Sequence, residues 1–250
     1  MPPTTSASIM QIALIEEASD GLLLAEAIVR MVGIVAAATV QTNPASRKSV
    51  FGQFSGGIST GAWLFILRQA QTDGCLGPFP ELSAIRFKKR GVGALLQSCV
   101  EIRNRVKHAP AMMTNAEEAA ALAELEPILY EVLERSTWLS QYEFLLVNSC
   151  EFTGARHEVH ANRLNGSHPD WEPALVPVNE PVAPNFVYLD TPGSSSLLRL
   201  HPLASVLPCQ TCRRDEFYVL DRVKESGAGE ARSLRDHRVE LDIRTWRASG

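Results

Sequence analysis

The sequence predicts an α+β protein in which an N-terminal α-helical bundle over residues 8–148 is followed by a smaller β-rich segment over residues 152–245. Three observations support this fold class. Apolar residues recur at helical spacing in the first part, short β-branched and aromatic runs separated by Pro, Gly and Ser clusters fill the second, and 45% of the residues are hydrophobic, which is enough for a sizeable core. A chain of 250 residues can hold one large core or two modest ones.

The first helical region covers residues 8–42, as one long helix or two shorter ones. It ends near Asn43-Pro44, because the residue before a proline disfavours the α conformation. Its most apolar part is predicted to be a buried core helix and not a membrane span, because Glu26 and Arg30 are spaced for an ion pair across one helical turn. No signal peptide is apparent, so we expect a cytoplasmic protein without a membrane segment.

A loop that contains Phe51, Phe54 and three glycines is expected next. The following helix covers residues 61–70 and is capped by Ser59 or Thr60, whose hydroxyl can accept a backbone N–H of the first turn. One face of this helix is apolar and is expected to be buried: Trp63, Ile66 and Leu67.

Two longer helices complete the predicted bundle. The first, over residues 93–108, ends before Ala109-Pro110. The second, over residues 115–147, opens with the capping box 114–117 and is expected to kink or split at Pro127. Their short connection predicts antiparallel neighbours. Six side chains are expected to be largely buried between helices: Leu95, Cys99, Ile102, Leu122, Leu129 and Leu133.

The second half of the chain contains four runs that are typical of strands, at residues 186–189, 197–200, 216–223 and 239–243. Residues 162–185 contain five prolines and are predicted to be an extended connection. The β-rich half is expected to pack against the bundle, because no clear flexible linker separates the two.

The charge of the chain is uneven. A net charge of −4 argues against general binding of nucleic acid by the whole molecule. Residues 86–108, however, contain seven basic side chains and a single acidic one, so this segment carries +6 and the remainder carries −10.

One short motif lies at the end of the helix predicted over residues 93–108. It is Arg103-Asn104-x-x-x-His108. Two other Arg and His pairs in the chain have the same separation, but neither has Asn after the Arg or lies in a predicted helix. On a helix, positions 104 and 108 are i,i+4 neighbours, so the amide of Asn104 can orient the imidazole of His108.

With this motif and this order of helices, residues 20–148 resemble the HEPN family, whose helical bundles carry an R-x4-6-H motif, often with Asn, Asp or His after the Arg. The resemblance implies a metal-independent endoribonuclease that acts as a toxin or defence effector. It also implies a homodimer in which two motifs form one composite site. Arg103, Asn104 and His108 are then the catalytic candidates, and RNA is the expected partner.

The chemistry of these side chains is compatible with that activity. A histidine that titrates near neutrality can accept the proton of a ribose 2′-hydroxyl or protonate the leaving oxygen, and a planar guanidinium can stabilise charge on the phosphate. The basic segment would supply the attraction for RNA through six further side chains: Arg86, Lys88, Lys89, Arg90, Arg105 and Lys107.

A non-catalytic function is the main alternative. Arg and His at a helix end also cap carbonyl groups, and clusters of basic residues are usually solvated faces. In that case the chain is a HEPN-like scaffold whose β-rich half binds a partner protein, which also serves as a regulatory partner. A zinc-dependent hydrolase is disfavoured because no H-E-x-x-H or comparable ligand set occurs.

Cys209 and Cys212 have the spacing of a zinc knuckle and are predicted to lie at the tip of a strand, turn and strand. A structural zinc site needs four ligands, and no second cysteine pair exists. Histidines would have to complete the site, and the candidates are His157, His160, His201 and His237. We therefore expect a reduced cysteine pair without zinc, and no cofactor for catalysis.

Overall fold

The computed structural model of the protein describes residues 18–41, 43–108, 113–164, 171–191, 193–233 and 235–243. Within these residues, six α helices are followed by two antiparallel β sheets, which confirms the α+β class. The expected helix start at residue 8, the Ala109-Pro110 stop and the end of the β-rich segment at residue 245 lie outside the described residues.

The helices, in chain order, are α1 Ala18–Val40, α2 Pro44–Gly52, α3 Thr60–Thr72, α4 Pro80–Ala84, α5 Val92–Lys107 and α6 Asn115–Arg135. A 3-10 helix, Thr137–Gln141, precedes the strands. The strands are β1 Glu143–Phe152, β2 His157–Arg163, β3 Glu172–Val178, β4 Val187–Asp190, β5 Leu197–Arg199, β6 Ala204–Pro208, β7 Asp215–Val223, β8 Gly229–Ser233 and β9 Arg238–Leu241.

Helix α1 contacts four of the other helices, α2, α3, α5 and α6. Its length and composition would suffice to cross a membrane, but most of it is buried inside the protein. The predicted ion pair between Glu26 and Arg30 is confirmed, with a distance of 2.6 Å between the carboxylate oxygen and the guanidinium nitrogen. Close packing against α3 requires glycine at Gly33, where an added Cβ would lie 2.6 Å from the Cβ of Trp63.

The loop that was expected before residue 59 is wrong in its first part, because residues 44–52 form α2. Asn43 caps this helix by accepting the backbone N–H of Ala45 at 3.1 Å, and Pro44 occupies the first helical position, where its missing N–H costs nothing. The next helix is confirmed. Ser59 caps α3 at 3.1 Å, and the predicted apolar face is buried: Trp63, Ile66 and Leu67.

Helices α5 and α6 are antiparallel neighbours, as predicted. Arg105 near the end of α5 pairs with Glu124 near the middle of α6, and Arg135 at the end of α6 donates to the carbonyl of Arg90 before α5 at 2.6 Å. The capping box before α6 is confirmed. Of the six predicted core side chains, three are buried (Cys99, Ile102 and Leu129) and three are half-buried (Leu95, Leu122 and Leu133).

The predicted end of the last helix is wrong. Helix α6 ends at Arg135, and residues 143–147 belong to strand β1, which pairs with β2 and β4. Helical spacing of leucines therefore continues past the true helix end. Pro127 does not split α6, which is one helix on both sides of it.

The first sheet has five strands in the order β3-β2-β1-β4-β5. The extended connection predicted over residues 162–185 is wrong, because β3 lies inside it and pairs with β2 along its full length. Two prolines, Pro173 and Pro177, fit β3 because it is an edge strand, where one side needs no ladder hydrogen bonds. Prolines also discourage pairing of an exposed edge with other chains.

The second sheet is a four-stranded meander in the order β6-β7-β8-β9. All four predicted strand runs are found, as β4 and β5 in the first sheet and as β7 and β9 in the second. It is joined to the bundle through the α2–α3 connection. Ile58 donates its backbone N–H to Asp221 of β7 at 2.7 Å, and Val223 donates to Phe54 at 2.9 Å. One continuous apolar core contains residues of both halves of the chain.

Candidate functional site

An ion-pair cluster forms where the last turns of α5 meet α1. Its centre is Glu26, which is only 7% exposed and accepts hydrogen bonds from Arg30 at 2.6 Å and from Arg103 and Lys107 at 3.3 Å. Burial raises the pKa of Glu26, but the three cations outweigh burial and hold this pKa below its usual value. These four residues, called the Glu26 cluster below, carry two more positive charges than negative ones.

Arg103 is held in a fixed orientation within this cluster, and its side chain is 15% exposed. Its Nε and Nη2 atoms both donate to one oxygen of Glu26 at 3.3 Å, and its Nη1 atom donates to the amide oxygen of Asn104 at 3.0 Å. A guanidinium has five N–H groups, so these three bonds leave two N–H groups for a further acceptor.

The structure places Asn104 differently from the expected arrangement. Its amide oxygen accepts from Arg103, and its backbone carbonyl accepts the N–H of His108 at 2.9 Å. His108 is the C-cap of α5 and is exposed to solvent. Among the residues that the structure describes, Asn104 therefore orients the guanidinium and not the imidazole.

The basic segment does not form one patch. Its first four members, residues 86–90, precede α5, whereas Arg105 and Lys107 lie in its last turn. A helix of 16 residues is roughly 24 Å long, so the two groups are at opposite ends. Near the motif, Arg105 pairs with Glu124 and Lys107 pairs with Glu26.

Cys209 and Cys212 lie at the tip of the β6–β7 hairpin, as the sequence predicts. The turn is closed by two backbone hydrogen bonds, from Cys209 to the carbonyl of Arg214 at 2.7 Å and from Arg213 back to the carbonyl of Cys209 at 2.9 Å. Arg213 has a φ of 61°, the left-handed region that favours glycine. The tight turn keeps the two thiols close together.

Two further residues join this cysteine pair, one near it in the sequence and one distant. Glu216 is the second residue of β7, four positions after Cys212, and His237 lies in the turn between β8 and β9. In an antiparallel meander, the first and third turns lie at the same end of the sheet, so the β8–β9 turn lies beside the β6–β7 turn. Cys209, Cys212, Glu216 and His237 are called the Cys209 cluster below.

The ligand-type atoms of the four side chains all lie within 4.8 Å of one another. Nδ1 of His237 lies 3.2 Å from the sulfur of Cys209 and 2.9 Å from a carboxylate oxygen of Glu216. The sulfur of Cys212 lies 3.4 Å from the other oxygen of Glu216. Glu216 is itself 8% exposed, so its charge requires compensation.

The surroundings favour a thiolate at Cys209. Burial raises the pKa of this thiol, but hydrogen bonds from the Tyr218 hydroxyl and from the backbone N–H groups of Cys212 and Thr211 outweigh burial and lower the pKa to about 7. Burial and the negative charge of Glu216 instead raise the pKa of Cys212. The hydrogen bond to Glu216 raises the pKa of His237.

Sequence reasoning identified the two cysteines and included His237 among four candidate histidines, but it missed Glu216. We expected histidine to supply both further ligands, whereas the group that the described residues bring together contains one histidine and one carboxylate. His157 and His160 lie on β2 of the other sheet, and His201 contacts Ser205 and Phe186. The spacing of Glu216, four residues after Cys212, was a local signal that could have identified it. His237 could not be selected from the four histidines without strand β8, which places the β8–β9 turn.

The β8–β9 turn also carries a charged residue that senses the Glu26 cluster. Asp236, next to His237, pairs with Arg232 of β8. This hydrogen bond lowers the pKa of Asp236, and the nearby charge of Arg30 lowers it further. The turn that carries a candidate metal ligand thus lies within electrostatic range of the Glu26 cluster.

No known protein family, no curated protein and no solved structure gives a significant match to this chain. The similarity to HEPN proteins consequently depends on the R-N-x-x-x-H motif and on the order of the helices.

Proposed function

We propose that this protein is a HEPN-like, metal-independent endoribonuclease of the toxin or defence class, with Arg103, Asn104 and His108 as its catalytic residues. The observation that carries the proposal is the excess of positive charge in the Glu26 cluster, directly beside an exposed histidine at the end of α5. A cationic site with a proton-transfer group is what cleavage of a phosphodiester requires.

In this mechanism, His108 accepts the proton of a ribose 2′-hydroxyl. The 2′ oxygen attacks the neighbouring phosphorus, the bond from phosphorus to the 5′ oxygen breaks, and the leaving oxygen receives a proton from the equivalent histidine of a second copy of the chain. The products are a 2′,3′-cyclic phosphate and a 5′-hydroxyl.

Arg103 stabilises the phosphate in the transition state. Its orientation is fixed by Glu26 and Asn104, and its two remaining N–H groups can bind phosphate oxygens. Arg105 and Lys107 extend the positive surface next to the motif, and residues 86–90, before the other end of α5, contact a more distant part of the RNA.

The test is incubation of the purified protein with total RNA, beside His108→Ala and a matched control, His160→Ala, which removes an exposed histidine of strand β2. The wild type and the control should cleave RNA, and His108→Ala should be slower by about 10²–10⁴ because it lacks the acid–base group. End-group analysis should find the cyclic phosphate, and cleavage should persist in EDTA, with folding checked in the same sample. Equal cleavage by wild type and His108→Ala would contradict the assignment.

The second candidate is a non-catalytic HEPN-like scaffold whose β-rich half binds a partner protein. It is favoured by the burial of Arg103, whose guanidinium is already bonded to Glu26 and Asn104. Arg103→Lys separates the two functions, because lysine keeps a charge near Glu26 but cannot bind a phosphate with two parallel hydrogen bonds. In the nuclease, this variant loses cleavage and keeps most of its stability. A wild type that cleaves no RNA would favour the scaffold.

A further inference from the structure

We propose that Cys209, Cys212, Glu216 and His237 bind one zinc ion, which fastens the β6–β7 turn to the β8–β9 turn. This site is separate from the catalytic residues proposed above and does not depend on their function. The sequence alone favoured a cysteine pair without metal, and it is the addition of Glu216 and His237 by the fold that completes a set of four ligands.

The spacing of the cluster suits one metal ion, because the ligand-type atoms of all four side chains lie within 4.8 Å of one another. In a tetrahedral site with zinc–sulfur bonds of about 2.3 Å and zinc–nitrogen or zinc–oxygen bonds of about 2.0–2.1 Å, neighbouring ligand atoms are roughly 3.3–3.8 Å apart. Three observed contacts lie within about half an ångström of that spacing: 3.2 Å from the sulfur of Cys209 to Nδ1 of His237, 2.9 Å from this nitrogen to one oxygen of Glu216, and 3.4 Å from the sulfur of Cys212 to the other oxygen.

The chemistry of the ligands selects zinc. Two thiolates are too soft for magnesium or calcium, and an iron–sulfur cluster usually takes four cysteines. Two thiolates, an imidazole and a carboxylate suit a zinc ion of borderline softness. Because four protein ligands leave no open position, the zinc is structural and not hydrolytic.

A second layer of hydrogen bonds holds these ligands in place. The sulfur of Cys209 accepts the backbone N–H of Cys212 at 3.5 Å. Ser233 of β8 supports the third turn, because its hydroxyl accepts the backbone N–H of His237 at 3.2 Å. Such outer contacts fix the orientation of metal ligands and strengthen binding.

The zinc would join three parts of the second sheet at one end: the β6–β7 turn, the start of β7 and the β8–β9 turn. Without a metal, the Glu216–His237 ion pair and the contact between His237 and Cys209 link the third turn to the first two parts. A metal that binds the folded sheet and not the unfolded chain stabilises the fold by mass action.

The test begins with the zinc content of the full chain, purified under reducing conditions without chelators and then incubated with Zn²⁺ and desalted. Wild type should hold about one zinc per chain, as should Cys150→Ser, a matched control on strand β1. Cys209→Ser/Cys212→Ser should hold none. With Co²⁺ as the probe, the wild type and the control should show the visible absorption of thiolate-bound cobalt, and the double variant should not.

Single substitutions then test the two ligands that are not cysteines. His237→Ala should weaken zinc binding by more than the roughly 10–100-fold that is typical when a residue that only supports a ligand is lost, and Glu216→His should retain zinc because a nitrogen ligand replaces the carboxylate oxygen. Removal of zinc from the wild type should lower the melting temperature by roughly 10 °C. Zinc-free wild type after Zn²⁺ incubation, a Cys209–Cys212 disulfide in the reduced preparation, or equal zinc in the double variant would overturn the proposal.

Discussion

The Glu26 cluster and the Cys209 cluster each contain a buried glutamate, and the two carboxylates are almost equally buried, at 7% and 8% exposure. Their surroundings differ. Glu26 lies among three permanent cations on two helices, whereas Glu216 has one histidine and two thiols on a sheet. Each buried carboxylate needs compensating positive charge. The first has more than it needs from three cations, whereas the second has one histidine, and a bound metal ion would add the missing charge.

The two clusters also differ in how they tolerate the loss of one side chain. The Glu26 cluster keeps two cations when one is removed, so its carboxylate remains paired. Among the described residues, the Cys209 cluster contains four groups that could bind a metal, the number that a zinc site needs, so loss of one leaves the set incomplete. The Glu26 cluster should thus be damaged most by removal of its only acid.

The largest effect is expected from Glu26→Gln. This change leaves Arg30, Arg103 and Lys107 close together without a counter-charge, and it should lower the free energy of unfolding by about 2–3 kcal/mol. Urea denaturation measures it. Glu124→Gln is the control, because Glu124 pairs with Arg105 on the surface. This substitution should lower the free energy of unfolding by no more than ~0.5 kcal/mol. Similar values for both variants would remove the distinction between a buried cluster and a surface pair.

A smaller effect is expected from single cations of the same cluster. Arg103→Ala should lower the free energy of unfolding by about 1–2 kcal/mol, because two other cations still pair with Glu26. Lys107→Ala should lower the free energy of unfolding by ~0.5 kcal/mol, because the Lys107 side chain is 41% exposed and its charge is well solvated. If the order of these two losses were reversed, burial would not determine the strength of the pairs.

Acid should reproduce part of the Glu26→Gln effect. Because the folded state lowers the pKa of Glu26, the contribution of this carboxylate is fully present above the unfolded value of about 4.3 and is lost as pH falls through the folded pKa. The difference in unfolding free energy between wild type and Glu26→Gln should therefore be constant near neutral pH and shrink below about pH 4.5. If this difference in unfolding free energy grew in acid instead, the folded state would raise the pKa of Glu26 and not lower it.

The smallest effect is expected at the turn that presents the cysteines. Arg213→Gly relieves a left-handed backbone conformation and should stabilise the protein by about 0.5–1 kcal/mol after the entropy cost of glycine, with zinc content unchanged. Denaturation with zinc bound measures this. A loss of stability would mean that the Arg213 side chain makes contacts that outweigh backbone strain.

The sequence predicted the helices better than the strands. Helices α3 and α6 have side-chain caps, and α3, α5 and α6 all have apolar faces, and local residues determine both features. Strand β1 was taken for the end of a helix because its apolar residues do not alternate, which is expected when a strand is buried on both faces. Strand β3 was hidden by prolines that an edge position tolerates.

The candidate sites were predictable only as far as their local parts. Arg103 and Cys209 could be identified from short motifs, but their partners Glu26 and His237 are far away in the sequence and depend on the tertiary fold. Glu26 lies 77 positions from Arg103 in the chain, and no local pattern connects them. Similarly, His237 reaches the cysteines only because β8 and β9 complete a meander.

The proposed activity is cleavage of RNA at the end of α5 through attack by the ribose 2′-hydroxyl. The most direct measurement compares two oligonucleotides that contain one mapped cleavage site, one all-RNA and one with a single 2′-deoxy nucleotide on the 5′ side of the scissile bond. Our account predicts cleavage of the first and none at that bond in the second, because the attacking oxygen is missing. Equal cleavage of both oligonucleotides would contradict it, since the nucleophile would then not be the 2′-hydroxyl.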